Sequence, residues 1–573
     1  MSNSRIGYQR WAISSLVALL VVSMVASGAA LAQGTLLPEV RAENGMVASA
    51  HPLASEAGVE ILMKGGNAID AAVAAAFALG VVEPNASGLG GEGMMVIHLA
   101  GGDLTAIDYR SAAPRAATLE RYADGTASTG WESVGVPGTV AGLSTALSRY
   151  GTMSLAEVLE PAIRLAEEGF PVSETLAASI SDSYEAILAD PELASIYLVD
   201  GFPPMAGDIL RNPNLARTMR ILAGKGQDAF YRGEIAKAIA AAMEENGGLI
   251  TTLDLADYRA FEREPVRGSY RGYEVVSAPP PVGGMAVVEA LQILENFDLS
   301  GETFPSTRVI HLAAESLKRA FADLNWYNGD PAFVDVPVEG LTSREYAARR
   351  AEEIPLDRMG ERPQAGDPTP YGAGVPVGAY AAPGHESAST THLSTADAEG
   401  NVVALTQTIS SFFGAKAAVP GTGIVLNNEM VNFSTRPGLP NTLAPGKRMR
   451  TTIAPTLLLQ DGEPVLSIGT PGAGRIVSTM VQLIVNLVDY EMSLQEAIEA
   501  PRFYARDSEK NLHMESRVPA DIRAELEAMG YTLNVHGDWD LYFGGAQGIM
   551  IEPETGEFVG GADPRRSGGV VGY

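Results

Sequence analysis

Thr390-Thr391-His392-Leu393-Ser394-Thr395-Ala396, then Asp397-Ala398-Glu399-Gly400-Asn401, then Val402-Val403-Ala404-Leu405-Thr406-Gln407-Thr408-Ile409 follow one another in mid-chain. The outer segments are rich in residues that suit a pleated strand, and the middle five are turn formers. Together they predict an antiparallel hairpin. With the turn centred on Glu399, residue 390 falls opposite residue 408. Opposed side chains share a face, with Cβ atoms about 4.5–5.5 Å apart. The hydroxyls of Thr390 and Thr408 are therefore expected within reach of each other, whereas a bulge would turn one of them away.

A threonine hydroxyl is a poor nucleophile without a base beside it. The free α-amine of an N-terminal threonine supplies that base from the residue itself. In mid-chain such a residue must be uncovered by cutting, which predicts a proenzyme cleaved between Ser389 and Thr390. From Pro355 to Gly384 prolines and glycines accumulate without periodicity, and this reads as an exposed linker leading to the cut. Threonine runs also occur in strands for β-propensity alone, so the hairpin by itself leaves a structural and a catalytic reading open.

The bulk properties narrow the classes. A chain of 573 residues points to two or more domains or to one unusually large layered unit. A net charge of −29 argues against nucleic acid and anionic membranes as partners. Residues 1–32 carry only Arg5 and Arg10 as charges, followed by the apolar run Trp11 to Ala26 and by Ala30-Leu31-Ala32, the pattern of a cleaved signal peptide. The mature protein is expected in the periplasm or outside the cell, with no second apolar run long enough to span a bilayer. There is no cysteine, so the core must hold the fold, and cysteine catalysis and thiolate metal sites are excluded. Seven histidines show no metal-ligand spacing, so no metal is expected, and nothing in the sequence suggests a cofactor.

Around the hairpin, His51 to Pro84 reads as two helices separated by Gly65-Gly66, the second apolar nearly all round and hence buried. Gly88-Leu89-Gly90-Gly91-Glu92-Gly93 lacks the Lys-Ser/Thr of a phosphate loop and reads instead as a place of close backbone contact. Met94 to Leu99 and Leu104 to Tyr109 read as a second hairpin. Helical patterns follow at Leu155 to Glu168, Leu215 to Gly224, Glu234 to Glu245 and Arg308 to Asn325. Ala278-Pro279-Pro280-Pro281 with Gly283-Gly284 reads as a rigid turn. After Thr390, strands are expected at 390–396, 402–409, 423–427, 455–460 and 464–468, with helices only near 476–488 and 493–500. The pattern suggests a mixed sheet packed on helices, with Thr390 at the head of a central strand.

Further motifs carry a resemblance. Gly45-Met46-Val47-Ala48 through Glu83-Pro84, Ser133-Val134-Gly135-Val136-Pro137-Gly138-Thr139, Asp228-Ala229-Phe230-Tyr231-Arg232-Gly233, Thr390-Thr391-His392, Leu426-Asn427-Asn428, Gly469-Thr470-Pro471-Gly472 and Ala562-Asp563-Pro564-Arg565-Arg566 occur in the order found in the γ-glutamyltranspeptidase family. Over nearly the whole mature chain the sequence resembles these secreted N-terminal-nucleophile hydrolases. The resemblance implies an α/β fold of αββα type, two stacked, mainly antiparallel sheets between helical layers. It implies a large subunit of residues 33–389 and a small subunit of residues 390–573, intertwined in one domain. It also implies Thr390 as nucleophile, Thr408 as its orienting partner, Arg110 as the clamp for the substrate α-carboxylate, Thr451 and Thr452 as helpers of that clamp, and backbone N–H groups of Gly472 and Ala473 as the oxyanion hole. The donor would be glutathione or another γ-glutamyl amide, and the acceptor water, an amino acid or a peptide.

Four departures bear on substrate. Asn432 stands where the family has an aspartate for the substrate α-ammonium, with Glu429 nearby at a position usually Gln or Glu. Ser410 stands where an asparagine often touches the donor. Ser111 replaces the usual glutamate after the arginine, and the connection from Ser434 to Lys447 is short. A kept carboxylate clamp with a weakened amine clamp resembles the cephalosporin-acylase branch, whose glutaryl substrates lack the amine. A glutaryl-type acylase is therefore the alternative, and a non-catalytic secreted binding protein is the reading from another class.

Overall fold

A computed structural model describes residues 38–372, 389–507 and 510–573. The signal-peptide expectation for residues 1–32 and the linker residues 373–388 lie outside the described residues. The chain folds as an αββα sandwich built on two seven-stranded sheets. The first runs in the order Gly569–Gly572, Gly45–Ser49, Thr391–Asp397, Val402–Thr408, Glu92–His98, Leu104–Asp108, Phe261–Arg263. The second runs Val40–Ala42, Phe558–Ala562, Gln547–Ile551, Glu463–Gly469, Thr456–Gln460, Tyr273–Ser277, Val266–Tyr270. Neighbours in both are antiparallel throughout, which corrects the expected mixed sheet. The first sheet takes three strands from after residue 390 and four from before it, with Gly45–Ser49 inserted between Gly569–Gly572 and Thr391–Asp397.

Strand periodicity divides the core. Val47, Leu393, Val403, Leu405, Met95 and Ile97 face one apolar cluster with the helices Pro52–Met63 and Ala68–Val82. Their neighbours Met46, Ala48, Ala396, Ala404, Met94 and Val96 face the second sheet, behind which lie the helices Gly284–Glu295, Thr307–Tyr327 and Arg475–Val488. With both faces covered, the strands can be apolar on both sides. The helix Ala68–Val82 starts on a capping box in which Asn67 accepts from the Ile69 and Asp70 N–H groups while Asp70 accepts from the Asn67 N–H. All but one of its residues are buried, as its all-round apolar sequence requires.

The central hairpin has the expected register, with Thr391 opposite Gln407 and His392 opposite Thr406. Its turn is tied by Asp397, whose carboxylate accepts from the Asn401 N–H at 2.9 Å and from the Ala68 N–H at 2.7 Å. The glycines beside it allow close backbone contact: a Cβ on Gly90 would overlap the Val425 carbonyl, and one on Gly91 the Thr408 carbonyl. The helix Leu155–Glu168 has its expected bounds, and the others in that region match to within about two residues.

Other expectations are corrected. Val266–Tyr270 and Tyr273–Ser277 form a hairpin inside the stretch read as mostly helical, and the helix Ala520–Ala528 follows residue 500. The segment 355–372 is not a free linker: Met359 N–H donates to the Met529 carbonyl, and Gly360 and Gly366 N–H groups donate to Glu315 and Asp323. No helix among the described residues is long and apolar enough to cross a membrane.

Candidate active site

Thr390 heads the central strand of the first sheet, and its hydroxyl donates to Thr408 Oγ1 at 3.0 Å. The Ser410 N–H donates to the same oxygen at 2.8 Å, so Thr408 is held from two sides. Thr390 has φ +110°, a left-handed conformation that a β-branched residue adopts at a cost of about 1–3 kcal/mol. Its carbonyl accepts from Arg566 Nη1 at 2.9 Å, and Arg566 also pairs with Glu83 at 3.4 Å. Burial raises the Glu83 carboxyl above its usual range, with the Arg566 charge opposing. The preceding Ser389 is buried, and its hydroxyl donates to the Asn85 carbonyl at 3.3 Å.

Thr390 and Thr408 open into a cleft whose wall also includes Ser410, Glu429, Asn432, Thr451, Thr452 and Ala473. Eight of the ten residues singled out in the sequence thus meet at one cavity. Gly472 and Arg110 are not on its wall. Gly472, φ +133°, lies beside Gly544 and leads with Ala473, φ +51°, into the helix Arg475–Val488. The positive end of that helix dipole points back to this loop, a setting that suits a developing oxyanion. Thr451 and Thr452 are braced by the proline-rich turn: Thr451 N–H donates to the Pro281 carbonyl, and a Cβ on Gly283 would overlap Thr452 O.

Arg110 sits behind the wall, fully buried. Its Nη2 donates to Glu429 Oε2 at 3.1 Å and its Nη1 pairs with Glu92. Burial lowers its pKa, with Glu429 acting the other way. Glu429 Oε2 also accepts from Asn432 Nδ2 at 2.8 Å, whereas Glu429 Oε1 has no partner and belongs to a side chain on the cavity wall. Asn432 Nδ2 reaches Ser410 Oγ at 3.3 Å, closing a chain from Arg110 to the threonine pair.

His392 does not face the cleft chemistry. It is buried between the sheets, bonded to Thr406 and Ser394, against Gly469, where a Cβ would overlap its ring. Burial pushes its pKa down to about 3, so it is a neutral packing residue. Asn427 and Asn428 are braces as well: Asn427 joins Gly90 to Gly135, and Asn428 holds Ser411. Three charged residues that stand in the quoted motifs were given no role there, Glu83, Glu92 and Arg566. The available signal was positional, since Glu92 lies in the glycine cluster at the register position opposite Thr408.

The family model for gamma-glutamyltranspeptidase matches residues 54–573. The glutathione hydrolase proenzyme of Bacillus subtilis (strain 168) is 40% identical over 542 residues, covering 92% of this chain and 92% of the relative. The Acylase ACY 1 proenzyme of Pseudomonas sp. (strain SE83) is 43% identical over 541 residues, covering 92% of this chain and 93% of the relative. Among solved structures, the cephalosporin acylase from Bacillus halodurans superposes with a TM-score of 0.85 at 34% identity, covering 94% of this chain and 97% of that one.

Proposed function

Because this chain belongs to the γ-glutamyltranspeptidase family of hydrolases and transpeptidases, we propose that it is an exported, self-processing enzyme that cleaves glutathione and other γ-glutamyl amides through an acyl ester on Thr390. The observation that carries this reading is the Thr390–Thr408 hydroxyl pair, 3.0 Å apart, opening on the cleft that Glu429, Asn432, Thr451 and Thr452 also line. In the precursor, Thr390 Oγ1 attacks the Ser389 carbonyl carbon and the peptide C–N bond breaks. The nitrogen takes the proton and becomes a free amine. Water then cleaves the resulting ester, leaving a Ser389 carboxylate and the Thr390 hydroxyl. The left-handed φ of Thr390 supports a cut there, since the strain it stores is lost with that peptide bond.

In the mature enzyme the Thr390 amine, with a reference pKa near 8, takes the hydroxyl proton as Oγ1 attacks the γ-amide carbonyl. The oxyanion is met by backbone N–H groups of the Gly472–Ala473 loop, a kind of contact worth about 10²–10³ in rate. The amine leaves with the proton, and water or an amine acceptor releases the γ-glutamyl group. Within this reading Thr408 and Ser410 orient the nucleophile, Thr451 and Thr452 meet the α-carboxylate, and Glu429 with Asn432 meets the α-ammonium.

One observation favours the second reading, a glutaryl-type acylase: Asn432 carries no charge where the α-ammonium is expected. Against it, Glu429 supplies an acid with an unpartnered oxygen. Turnover of γ-glutamyl-p-nitroanilide against glutaryl-p-nitroanilide separates the two. The γ-glutamyl donor is expected to have the higher kcat/KM, and a ratio strongly favouring glutaryl would establish the acylase instead.

A further inference from the structure

Resting on the acyl-transfer reading above, we propose that Lys416 is a positioning residue for the nucleophile: its ammonium ties down the strained loop that carries Ser410, and turnover slows in alkali as that ammonium loses its proton. The loop of residues 409–417 follows the strand Val402–Thr408 and bends through four left-handed residues, Ser410 (φ +78°), Phe413 (φ +56°), Gly414 (φ +51°) and Lys416 (φ +56°). Three of the four carry a Cβ and resist that conformation. At the front of the loop the Ser410 N–H donates to Thr408 Oγ1 at 2.8 Å, which orients the acceptor of the Thr390 hydroxyl. A loop that relaxed would carry this N–H away.

Backbone bonds fix the middle of the loop, Phe413 N–H to the Asn85 carbonyl and Ala415 N–H to the Leu426 carbonyl. Lys416 fixes its back. Nζ donates to Ser183 Oγ at 2.9 Å and to the Phe412 carbonyl, and it lies 5.5 Å from the centre of the Phe413 ring, which packs on Tyr197. One ammonium thus joins the loop to Ser183, between the helices Glu174–Asp182 and Tyr184–Ala189. Among the described residues no carboxylate pairs with it. Asp182 and Glu185 beside Ser183 are exposed, and the Tyr184 hydroxyl donates to the Gly201 carbonyl. Asp190 accepts from the Leu193 and Ala418 N–H groups, Glu192 from Asn214 and the Gly423 N–H, and Glu132 pairs with Arg121. An ammonium left on neutral acceptors costs a desolvation that a methionine of similar length would not. Burial pushes its pKa down to about 8. The charge is therefore present at pH 7 and lost above about pH 8, and with it go the charge-assisted strength of both hydrogen bonds and the attraction to the ring.

The test is kcat of the matured enzyme at saturating γ-glutamyl-p-nitroanilide from pH 7 to 9.5. In the unaltered enzyme kcat is expected to fall about threefold or more across this range. Lys416→Arg keeps its charge throughout, and its kcat is expected to hold. Lys416→Met is expected to start about threefold or more lower at pH 7 and to show no such fall, with KM little changed. Titration of the donor itself is common to all three enzymes and cancels in their ratios. A merely structural role would lower kcat equally at every pH and leave the alkaline fall in place. Lys416→Arg with the same fall as the unaltered enzyme overturns the proposal, as does Lys416→Met with an unaltered profile. Where neither variant matures, Ser183→Ala removes one acceptor of the ammonium from outside the loop and is expected to move the fall to lower pH; an unmoved fall overturns the proposal. An active enzyme whose kcat does not fall in alkali overturns this proposal alone, whereas full activity in Thr390→Ala overturns the acyl-transfer reading with it.

Discussion

At the scale of single residues, the Thr390–Thr408 contact is the part of the site that the sequence made legible, because it is local. A five-residue turn sets the register, and the register sets the partner. The same contact makes a prediction. Thr408→Val removes a hydroxyl that accepts from both Thr390 and the Ser410 N–H, and kcat on γ-glutamyl-p-nitroanilide is expected to fall about tenfold or more, with slower processing. Thr408→Ser keeps the oxygen and is expected to retain most of the activity. Equal losses in both variants would show that the methyl, not the hydroxyl, matters at this position. The Glu92–Arg110–Glu429 triad was illegible for the opposite reason. It joins three segments far apart in sequence, and no local pattern announces which carboxylates reach the guanidinium.

At the scale of elements, the strands and helices with strong periodicity were read to within a residue or two, from Leu155–Glu168 to Glu463–Gly469. The failures have physical causes. Val266–Tyr270 and Tyr273–Ser277 turn on Arg271-Gly272, with φ +50° and +92°, a left-handed pair in which arginine stands where asparagine is the usual signal. Gln547–Ile551 and Phe558–Ala562 include glycines that weaken alternation, and they are ordered by pairing across the second sheet, not by propensity. The segment 355–372 has the composition of a linker yet is fixed by backbone N–H groups donating to Glu315 and Asp323, side chains that composition cannot place.

At the scale of the whole molecule, two sheets are held face to face by a core with no disulfide, and two neutral histidines are built into it. Burial pushes His392 down to about 3 and His51 to about 4. His51 Nδ1 accepts from the Leu53 N–H as the cap of the helix Pro52–Met63, which a protonated ring nitrogen cannot do. As pH falls through 6.5 the unfolded chain binds protons at both histidines while the folded chain does not. Each therefore removes up to about 1.4 kcal/mol per pH unit, down to about pH 4 for His51 and about pH 3 for His392. Denaturant melts between pH 7 and 4 are expected to show this acid loss. His51→Asn, which keeps a capping oxygen, is expected to flatten it, and an unchanged slope would remove His51 from the explanation.

The proposed chemistry turns on residue 390 becoming a chain end, since strands from both sides of the cut share one sheet and only cleavage gives Thr390, at the head of one of them, a free amine. N-terminal sequencing of the smaller fragment of the purified mature protein tests this most directly. The predicted start is Thr390-Thr391-His392-Leu393. A fragment beginning at any other residue, or a folded and active chain that is never cut, would contradict it.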